Sequence, residues 1–405
     1  MNDAAEKLEQ ELIKYFRQGI KKDSKTFCMG LELEHILVDG TSGKAVDYYG
    51  ENGVEQVLEE LSPYYKKKIY SENHLVGLEQ EEFILTLEPA AQLEISIYPQ
   101  SEINHIAEIY SEFRKSIEPV LRKHGYLLAQ VGYQPCSKAE ELSLIPKERY
   151  KMMDFYFEKI GKYGQEMMRG TASAQVAIDY YSEEDFMVKY KVAYILAPIV
   201  QFLFEYTPFY EGRENKEPMI REKIWKNVDR ERVDVWKQQN SLDMDFQSYA
   251  KFVLDVPMIV KQTEHGVEYS EETAREVYKN KNKVTKIEIE HILSMVFPMV
   301  RLKNYIEIRY ADSMPIKQAM SYVVFMKGLF VGIEETNAYF ESLHVNHIAM
   351  VESAYMMLRM YGKKAVIYGK SFEDIVKDLY EIVKRHVREE ELEWISNSKS
   401  VYEFL

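Results

Sequence analysis

The sequence predicts an α+β protein built on one mixed or antiparallel sheet, and three observations carry that expectation. Strand-like alternation is concentrated in the first two-thirds of the chain, one further alternating segment comes late, at Asn304–Tyr310, and the remainder carries helical periodicity. With 405 residues and 46% hydrophobic content, the chain is long and apolar enough to bury a large core. No repeat or low-complexity linker interrupts it, so 1–405 reads as a single domain whose part from about 330 to 405 is helical.

The elements follow in order. Leu8, Leu12, Tyr15 and Phe16 stand at helical spacing and predict a helix from Asp3 to Ile20. Phe27–Val38 alternates as a strand and ends at the turn-forming Asp39-Gly40-Thr41-Ser42-Gly43. Val54–Leu61 is a short helix stopped by Pro63. Glu82–Glu88 and Ala91–Tyr98 read as strands that meet near Pro89. Ser101 reads as the cap of a long helix with Ile106, Ile109, Phe113 and Ile117 on one stripe. Tyr126–Val131 and Ala172–Tyr180 are strands, with a helix at Lys147–Tyr163 between them. Glu183 opens a helix that runs to about Tyr206, before Pro208 and Gly212. The next third mixes helices and loops, including Phe246–Val260.

Composition excludes several classes of function. The net charge is −14, from 52 Lys plus Arg against 66 Asp plus Glu. Such a chain repels nucleic acid and anionic membranes unless it carries a local basic patch, and its longest basic block is Lys66-Lys67-Lys68. The apolar stretch Val192–Phe204 is too short and interrupted to be expected to span a bilayer. Cys28 and Cys136 give neither a disulfide framework nor a zinc spacing. The charged, helical start does not read as a leader, so a cytoplasmic protein is expected.

Four strands carry polar residues two apart, which places them on one face about 7 Å from each other. Glu32 and Glu34 share a face, as do Gln92, Glu94 and Ser96, and Glu307 and Arg309, while Gln175 stands among small and apolar neighbours. Two readings remain open. The faces are the wet side of a half-exposed sheet, or they converge on one cavity and offer the oxygen ligands that hard divalent cations require. In the second reading Lys303 and Arg309, beside Glu307, face the phosphates of a nucleotide triphosphate. Other routes to chemistry are missing: the sequence holds no GxxxxGK[ST], GxGxxG, HExxH or GxSxG motif, and neither cysteine sits in a nucleophile motif. His344 and His347 read as ordinary surface or packing residues.

With these segments in hand, the chain resembles the plant-type glutamate–cysteine ligases, a family also found in bacteria. The likeness starts at Gly30-Leu31-Glu32-Leu33-Glu34-His35 and continues in Leu87-Glu88-Pro89-Ala90-Ala91-Gln92-Leu93-Glu94-Ile95-Ser96. It runs through Pro146-Lys147-Glu148-Arg149-Tyr150, Gln175-Val176-Ala177-Ile178-Asp179 and Met219-Ile220-Arg221-Glu222-Lys223-Ile224-Trp225. It closes on Leu254-Asp255-Val256-Pro257-Met258 and Phe297-Pro298-Met299-Val300-Arg301-Leu302-Lys303-Asn304-Tyr305-Ile306-Glu307-Ile308-Arg309. Each motif is weak alone, and their order over residues 28–330 makes the set specific.

The resemblance implies a glutamine-synthetase-like antiparallel sheet funnel surrounded by helices. It implies that Glu32, Glu34, Glu88, Glu94, Gln175 and Glu307 hold two or three magnesium ions around the phosphates of ATP. By the same likeness Arg149 and Arg221 contact amino-acid substrates, and Arg232, Lys303 and Arg309 contact phosphates or a phosphorylated intermediate, with Lys303, Glu307 and Arg309 as the catalytic set. The implied reaction is ATP- and Mg-dependent amide formation between the γ-carboxylate of L-glutamate and the amine of L-cysteine through γ-glutamyl phosphate, the first step of glutathione biosynthesis. A different amine acceptor, or a non-catalytic binding relative, are the alternatives. A monomer or homodimer acting on small molecules is expected.

The chain departs from the family's pattern in several places. The family's paired glycines before Gln92 are Ala90 and Ala91, its Tyr after D-V-P-M is Ile259, and its Trp in F-W-x-G is Met326. Gly170-Thr171-Ala172-Ser173 replaces R-T-C-T, and Ala177 stands for Asn. Ile259 and Met326 are therefore expected to reshape the substrate pocket.

Overall fold

Nine strands build one antiparallel sheet whose order brings distant segments side by side. A computed structural model describes residues 2–23, 26–237, 240–264, 266–281 and 283–404. The strands are β1 (Met29–Asp39), β2 (Lys67–Ser71), β3 (His74–Glu79), β4 (Phe83–Leu87), β5 (Leu93–Gln100), β6 (Tyr126–Ala129), β7 (Ser173–Ile178), β8 (Val300–Leu302) and β9 (Ile306–Asp312). Their order is β8-β9-β7-β1-β5-β4-β3-β2, with β6 paired to the far end of β1. Every pairing is antiparallel, so the sheet is not mixed.

Register decides which side chains meet. Glu34 lies opposite Glu94, Glu32 opposite both Ser96 and Gln175, and Thr86 opposite Glu94. The polar residues of β1, β4, β5 and β7 therefore line a common face, while Leu31, Leu33, Ile95 and Val176 on the other face are buried. At the other edge Glu307 sits opposite both Ala177 and Arg301. The β9–β7 ladder slips between Ile308 and Ala311, a bulge that brings Asp312 rather than Ala311 opposite Ser173. The alternation of β9 carries no sign of this reversal of phase.

Helices cover the apolar face and the sheet ends. Ile103–His124 packs on β5, and Glu183–Leu203 on β9. The latter is long and apolar enough by composition to cross a membrane, with hydropathy 1.4, but 78% of that window is buried within the chain, the setting of a core helix. The helix expected to be capped by Ser101 begins at Ile103 instead, with Glu102 at its cap and no side-chain bond there. Phe246–Val260 divides into a helix, Phe246–Asp255, and a strand from Val260 to Thr263 that pairs with Gly266–Tyr269. The sequence predicts no strand at β2 or β3. β2 is largely exposed along its length and offers no alternation to recognise.

The C-terminal part is helical except for a small hairpin, Val366–Ile367 with Lys370–Ser371. Ile316–Val331 packs on both Phe372–His386 and Glu389–Ser396. A Cβ on Gly328 would lie 2.8 Å from the Val383 Cα, so glycine there permits the close approach of two helices. Met326, two residues earlier, is fully buried in the same helix, and Ile259 is fully buried beside the small ribbon. Neither lines a site cavity, which corrects the expectation that they shape the substrate pocket. The segment Phe325-Met326-Lys327-Gly328 serves helix packing.

Lys327 also anchors this layer, because its Nζ lies 2.7 Å from Oε1 of the wholly buried Glu391. Burial alone would raise the Glu391 carboxyl, but hydrogen bonds from Lys327 and the Arg388 N–H hold it below its ordinary value. Ionised Glu391 therefore stabilises the fold above the unfolded-state pKa, and that contribution is lost as pH falls through the lower folded value. Glu391→Ala should cost about 3 kcal/mol in chemical unfolding, as removal of one partner of a buried pair does, and should flatten the loss of stability on acidification.

Candidate active site

The polar sheet face forms the floor of a cavity of about 390 Å³. Glu32 and Glu34 from β1, Glu94 from β5, Gln175 from β7 and Glu307 and Arg309 from β9 all line it, with Glu88 from the turn after β4. The polar faces therefore converge on one cavity instead of forming the wet side of a half-exposed sheet. Lys147, Arg149 and Tyr150 enter from the start of the helix Glu148–Lys159, and Arg301 and Lys303 from the β8 hairpin.

The charges separate into two poles. At one, the buried Glu307 carboxylate is held by three cations. Arg301 grips it bidentately, Nε donating to Oε2 at 2.7 Å and Nη2 to Oε1 at 3.0 Å. Lys303 Nζ donates to Oε1 at 2.6 Å, and Arg309 Nη1 to Oε2 at 2.9 Å. Burial opposes ionisation there, yet Arg301, Lys303 and Arg309 together hold the carboxyl far below its usual range. Arg309 Nη1 also donates to Gln175 Oε1, so the guanidinium is fixed from two strands.

At the other pole carboxylates face one another. Glu34 accepts from the Ser173 N–H at 2.8 Å, the Ser173 hydroxyl at 2.9 Å and Gln175 Nε2 at 3.1 Å. Burial and the charge of Glu88 nonetheless push it up to about 7. Glu94 accepts from Thr86 and Ser96, each at 3.1 Å. Burial and then Glu32, Glu88 and Glu34 hold its carboxyl well above the ordinary range. Burial and Glu307 raise Glu32 as well, against Lys303, Arg309 and Arg301.

This excess of crowded carboxylate suits a hard cation, because a divalent ion would replace mutual repulsion by attraction. Glu32, Glu34, Glu88 and Glu94 are the donors available, with the Gln175 amide beside them. Glu307 differs, since both its oxygens are taken by cations, and its place is as their counter-ion rather than a free ligand. Among the described residues no group of three His, Cys, Asp or Glu side chains stands closely enough to hold an ion by itself, so these donors would need oxygens from a bound ligand to complete an ion's shell.

The arginines sort differently from expectation. Arg149 lines the cavity, steadied by Ser294, which accepts from Nη1 through its hydroxyl at 3.0 Å and from Nη2 through its carbonyl at 2.9 Å. Arg221 lies outside the cavity: its Nη atoms donate to the carbonyls of Tyr310 and Arg309, and Asp312 is 3.9 Å away. It braces the strand carrying Arg309 instead of facing the cavity. Arg232 is wholly buried, 3.0 Å from Asp229, donating to the Met295 carbonyl and lying over the Tyr156 ring. It lines no cavity, and the phosphate contact expected of it is not in reach. The turn before Gln92 keeps its shape without glycine, as Ala91 adopts φ 63°. Gln92 accepts from the Ala90 N–H and donates to the carbonyls of Met168 and Thr171, a structural role.

Arg301, Lys147, Tyr150, Ser294 and Asp312 were not among the sequence candidates. Only Arg301 left a signal: it stands two residues before Lys303, and therefore on the same strand face.

Comparison with known proteins follows the same lines. The profile of the family described as glutamate–cysteine ligase family 2 matches residues 28–359. A chloroplastic glutamate–cysteine ligase of Medicago truncatula is 28% identical over 332 residues, 79% of this chain and 64% of that protein. The corresponding protein of Arabidopsis thaliana is 27% identical over 328 residues, 79% of this chain and 62% of the relative. The chain thus spans a little under two-thirds of the length of these curated relatives. A crystal structure of a glutamate–cysteine ligase from Francisella tularensis in complex with AMP superposes with TM-score 0.57 at 10% identity, covering 95% of this chain and 82% of that one. That likeness shows the shared fold of helices around a central sheet.

The carboxylate pole makes a prediction about stability. A carboxyl raised in the folded state favours folding below its unfolded pKa and loses that advantage as pH rises toward the folded value. Glu94→Gln should therefore stabilise the metal-free protein at pH 8 by about 1 kcal/mol or more, with little effect at pH 4. Magnesium should raise the melting temperature of the unsubstituted chain more than that of the variant, as differential scanning calorimetry would register.

Proposed function

The chain belongs to glutamate–cysteine ligase family 2, and from that premise we propose that it is an ATP-dependent ligase joining the γ-carboxylate of L-glutamate to an amine. L-cysteine is the expected acceptor, which would make the product γ-glutamylcysteine and the pathway glutathione synthesis. One observation carries the reading: a cation pole and a carboxylate pole share a single cavity on one sheet face.

A carboxylate resists attack by an amine until it carries a leaving group. Transfer of the γ-phosphoryl group of ATP supplies one, and the chain's part is to hold and stabilise charge. Arg301, Lys303 and Arg309, preorganised by Glu307, would meet the negative charge that gathers on the phosphoryl oxygens with little reorientation. Magnesium ions held by Glu32, Glu34, Glu88 and Glu94 would neutralise the phosphate charge of ATP. Arg149, fixed by Ser294, would take a substrate carboxylate. A neutral amine then attacks the acyl phosphate, the developing oxyanion meets the same cations, and phosphate departs. No covalent bond to the protein is required, in keeping with the missing nucleophile motif.

The two unpaired cysteines suit a reducing compartment, and we propose the cytoplasm. A binding protein that retained the fold is the competing reading. It predicts that nucleotide turnover is absent whatever acceptor is supplied.

ADP release from Mg-ATP and L-glutamate, with and without L-cysteine, tests the reading, with mass spectrometry of the product. Cysteine should accelerate turnover and γ-glutamylcysteine should form. Arg309→Gln should lower kcat by about 10²- to 10³-fold, the loss typical of one preorganised charge-stabilising group. No ADP release with any acceptor contradicts the proposal.

A further inference from the structure

The bulge in β9 falls at Arg309, a member of the cation pole. Ile308 pairs with Val176 and Ala311 with Ala174, so two residues of β9, Arg309 and Tyr310, stand against one of β7, Gln175. Arg309 Nη1 donates to that same Gln175, at Oε1. A bulge disrupts the ladder locally, bends the strand and re-aims a side chain. Backbone carbonyls at such a place need donors from elsewhere.

Arg221 supplies them. Its Nη1 donates to the Tyr310 carbonyl at 3.0 Å and its Nη2 to the Arg309 carbonyl at 2.6 Å, so one guanidinium spans both residues of the bulge. The same Nη1 lies 3.9 Å from Oδ1 of Asp312. Asp312 Oδ2 in turn accepts from the Thr207 hydroxyl at 2.7 Å and the Tyr206 N–H at 3.0 Å. A Cβ on Gly132 would collide with the Asp312 carboxyl and the Thr207 hydroxyl, so glycine leaves room for this pairing. One residue on, Ser313 donates through its N–H to the Ala172 carbonyl at 3.0 Å and through its hydroxyl to the Glu34 carbonyl, which fixes the strand beyond the bulge. Arg221 and Asp312 are 4% and 2% exposed. Burial disfavours charge on each, and each is the leading charge that opposes this on the other.

A buried charge pair is weak ground for stability, since apolar residues of similar volume often serve as well. Apolar residues cannot hold two carbonyls in fixed directions, whereas the planar fork of a guanidinium can. We propose that Arg221 and Asp312 are positioning residues: they lock the β9 bulge and through it set where the Arg309 guanidinium meets the transferring phosphoryl group, without touching a substrate themselves. The proposal rests on the ligase reading. The tip of Arg309 is held by Glu307 and Gln175, but its reach is set by the backbone from which it projects. Misplacing a reacting or charge-stabilising group by about 1 Å costs up to about 10²-fold in rate.

Steady-state ADP release from Mg-ATP, L-glutamate and L-cysteine, or whichever amine supports turnover, is measured for Arg221→Lys and Asp312→Asn. Each is made alone and in the Arg309→Gln background, with circular dichroism reporting the fold. Arg221→Lys keeps the charge, but one ammonium cannot reproduce a fork across two carbonyls. Asp312→Asn keeps an acceptor for Thr207 and removes the charge beside Arg221. Each should lower kcat about ten- to a hundredfold and change the L-glutamate KM less than about threefold. In the Arg309→Gln background either substitution should cost less than about twofold more, because the group it positions is gone. Should either variant unfold, Thr207→Val, which takes away one hydrogen bond to Asp312, should lower kcat about two- to fivefold with the same dependence on Arg309.

A rise in the L-glutamate KM with kcat held makes Arg221 a substrate contact and overturns the proposal. Losses that multiply with that of Arg309→Gln overturn it by showing that the pair acts elsewhere. Unchanged kcat in the folded variants overturns it outright. Each of these outcomes leaves the ligase reading standing. Absence of ADP release by the unsubstituted chain with every acceptor removes the ligase reading, and the positioning role with it.

Discussion

Three cations cannot share one corner of a protein without a buried anion between them, and Glu307 is that anion. Arg301 and Lys303 come from the β8 hairpin and Arg309 from β9, and the carboxylate joins them into one fixed group. Gln175 ties that group to β7, and through Glu34 to β1. A chain of hydrogen bonds thus crosses four adjacent strands and holds the cation pole at a set distance from the carboxylate pole. Low dielectric strengthens every link, and the same condition makes any missing member costly.

That arrangement explains why the sheet can be strongly polar on one face and largely apolar on the other, where His35 of β1 is a buried polar residue bonded to the Leu93 carbonyl and the Tyr110 hydroxyl. Period-two alternation in antiparallel strands sends all the glutamates one way. The apolar side chains that alternate with them supply the core that keeps the strands in register. A one-residue slip of β1 would bury Glu32 and Glu34 among helices and expose leucines to the cavity. The hydrophobic pattern and the site are therefore specified by the same residues.

Legibility in the sequence followed this physics closely. Glu32, Glu34, Glu94, Glu307 and Arg309 were readable because each stands two residues from another polar residue on its strand, and Gln175 because it is the one amide among small and apolar neighbours. Arg301 was not assigned although it stands two residues before Lys303, because β8 has only three residues, all buried, too few to show an alternation. Asp312 was hidden by the bulge in β9. Lys147 and Ser294 lie just outside helix ends, and loop geometry is set by tertiary contacts. Arg221, Arg232, Ile259 and Met326 came from family likeness rather than spacing. Likeness marks a position without saying where its side chain points. In this chain Arg221 braces a strand, Arg232 pairs with Asp229, and the two apolar residues pack the core.

The central claim is that Glu307 preorganises the cation pole for a polyphosphate. Isothermal titration of Mg-ATP into the unsubstituted chain and into Glu307→Gln, with circular dichroism confirming that the variant is folded, tests it most directly. The account predicts at least a tenfold weaker affinity in the variant, because three unneutralised cations move apart and the shared geometry is lost. Unchanged affinity in a folded Glu307→Gln protein would contradict it.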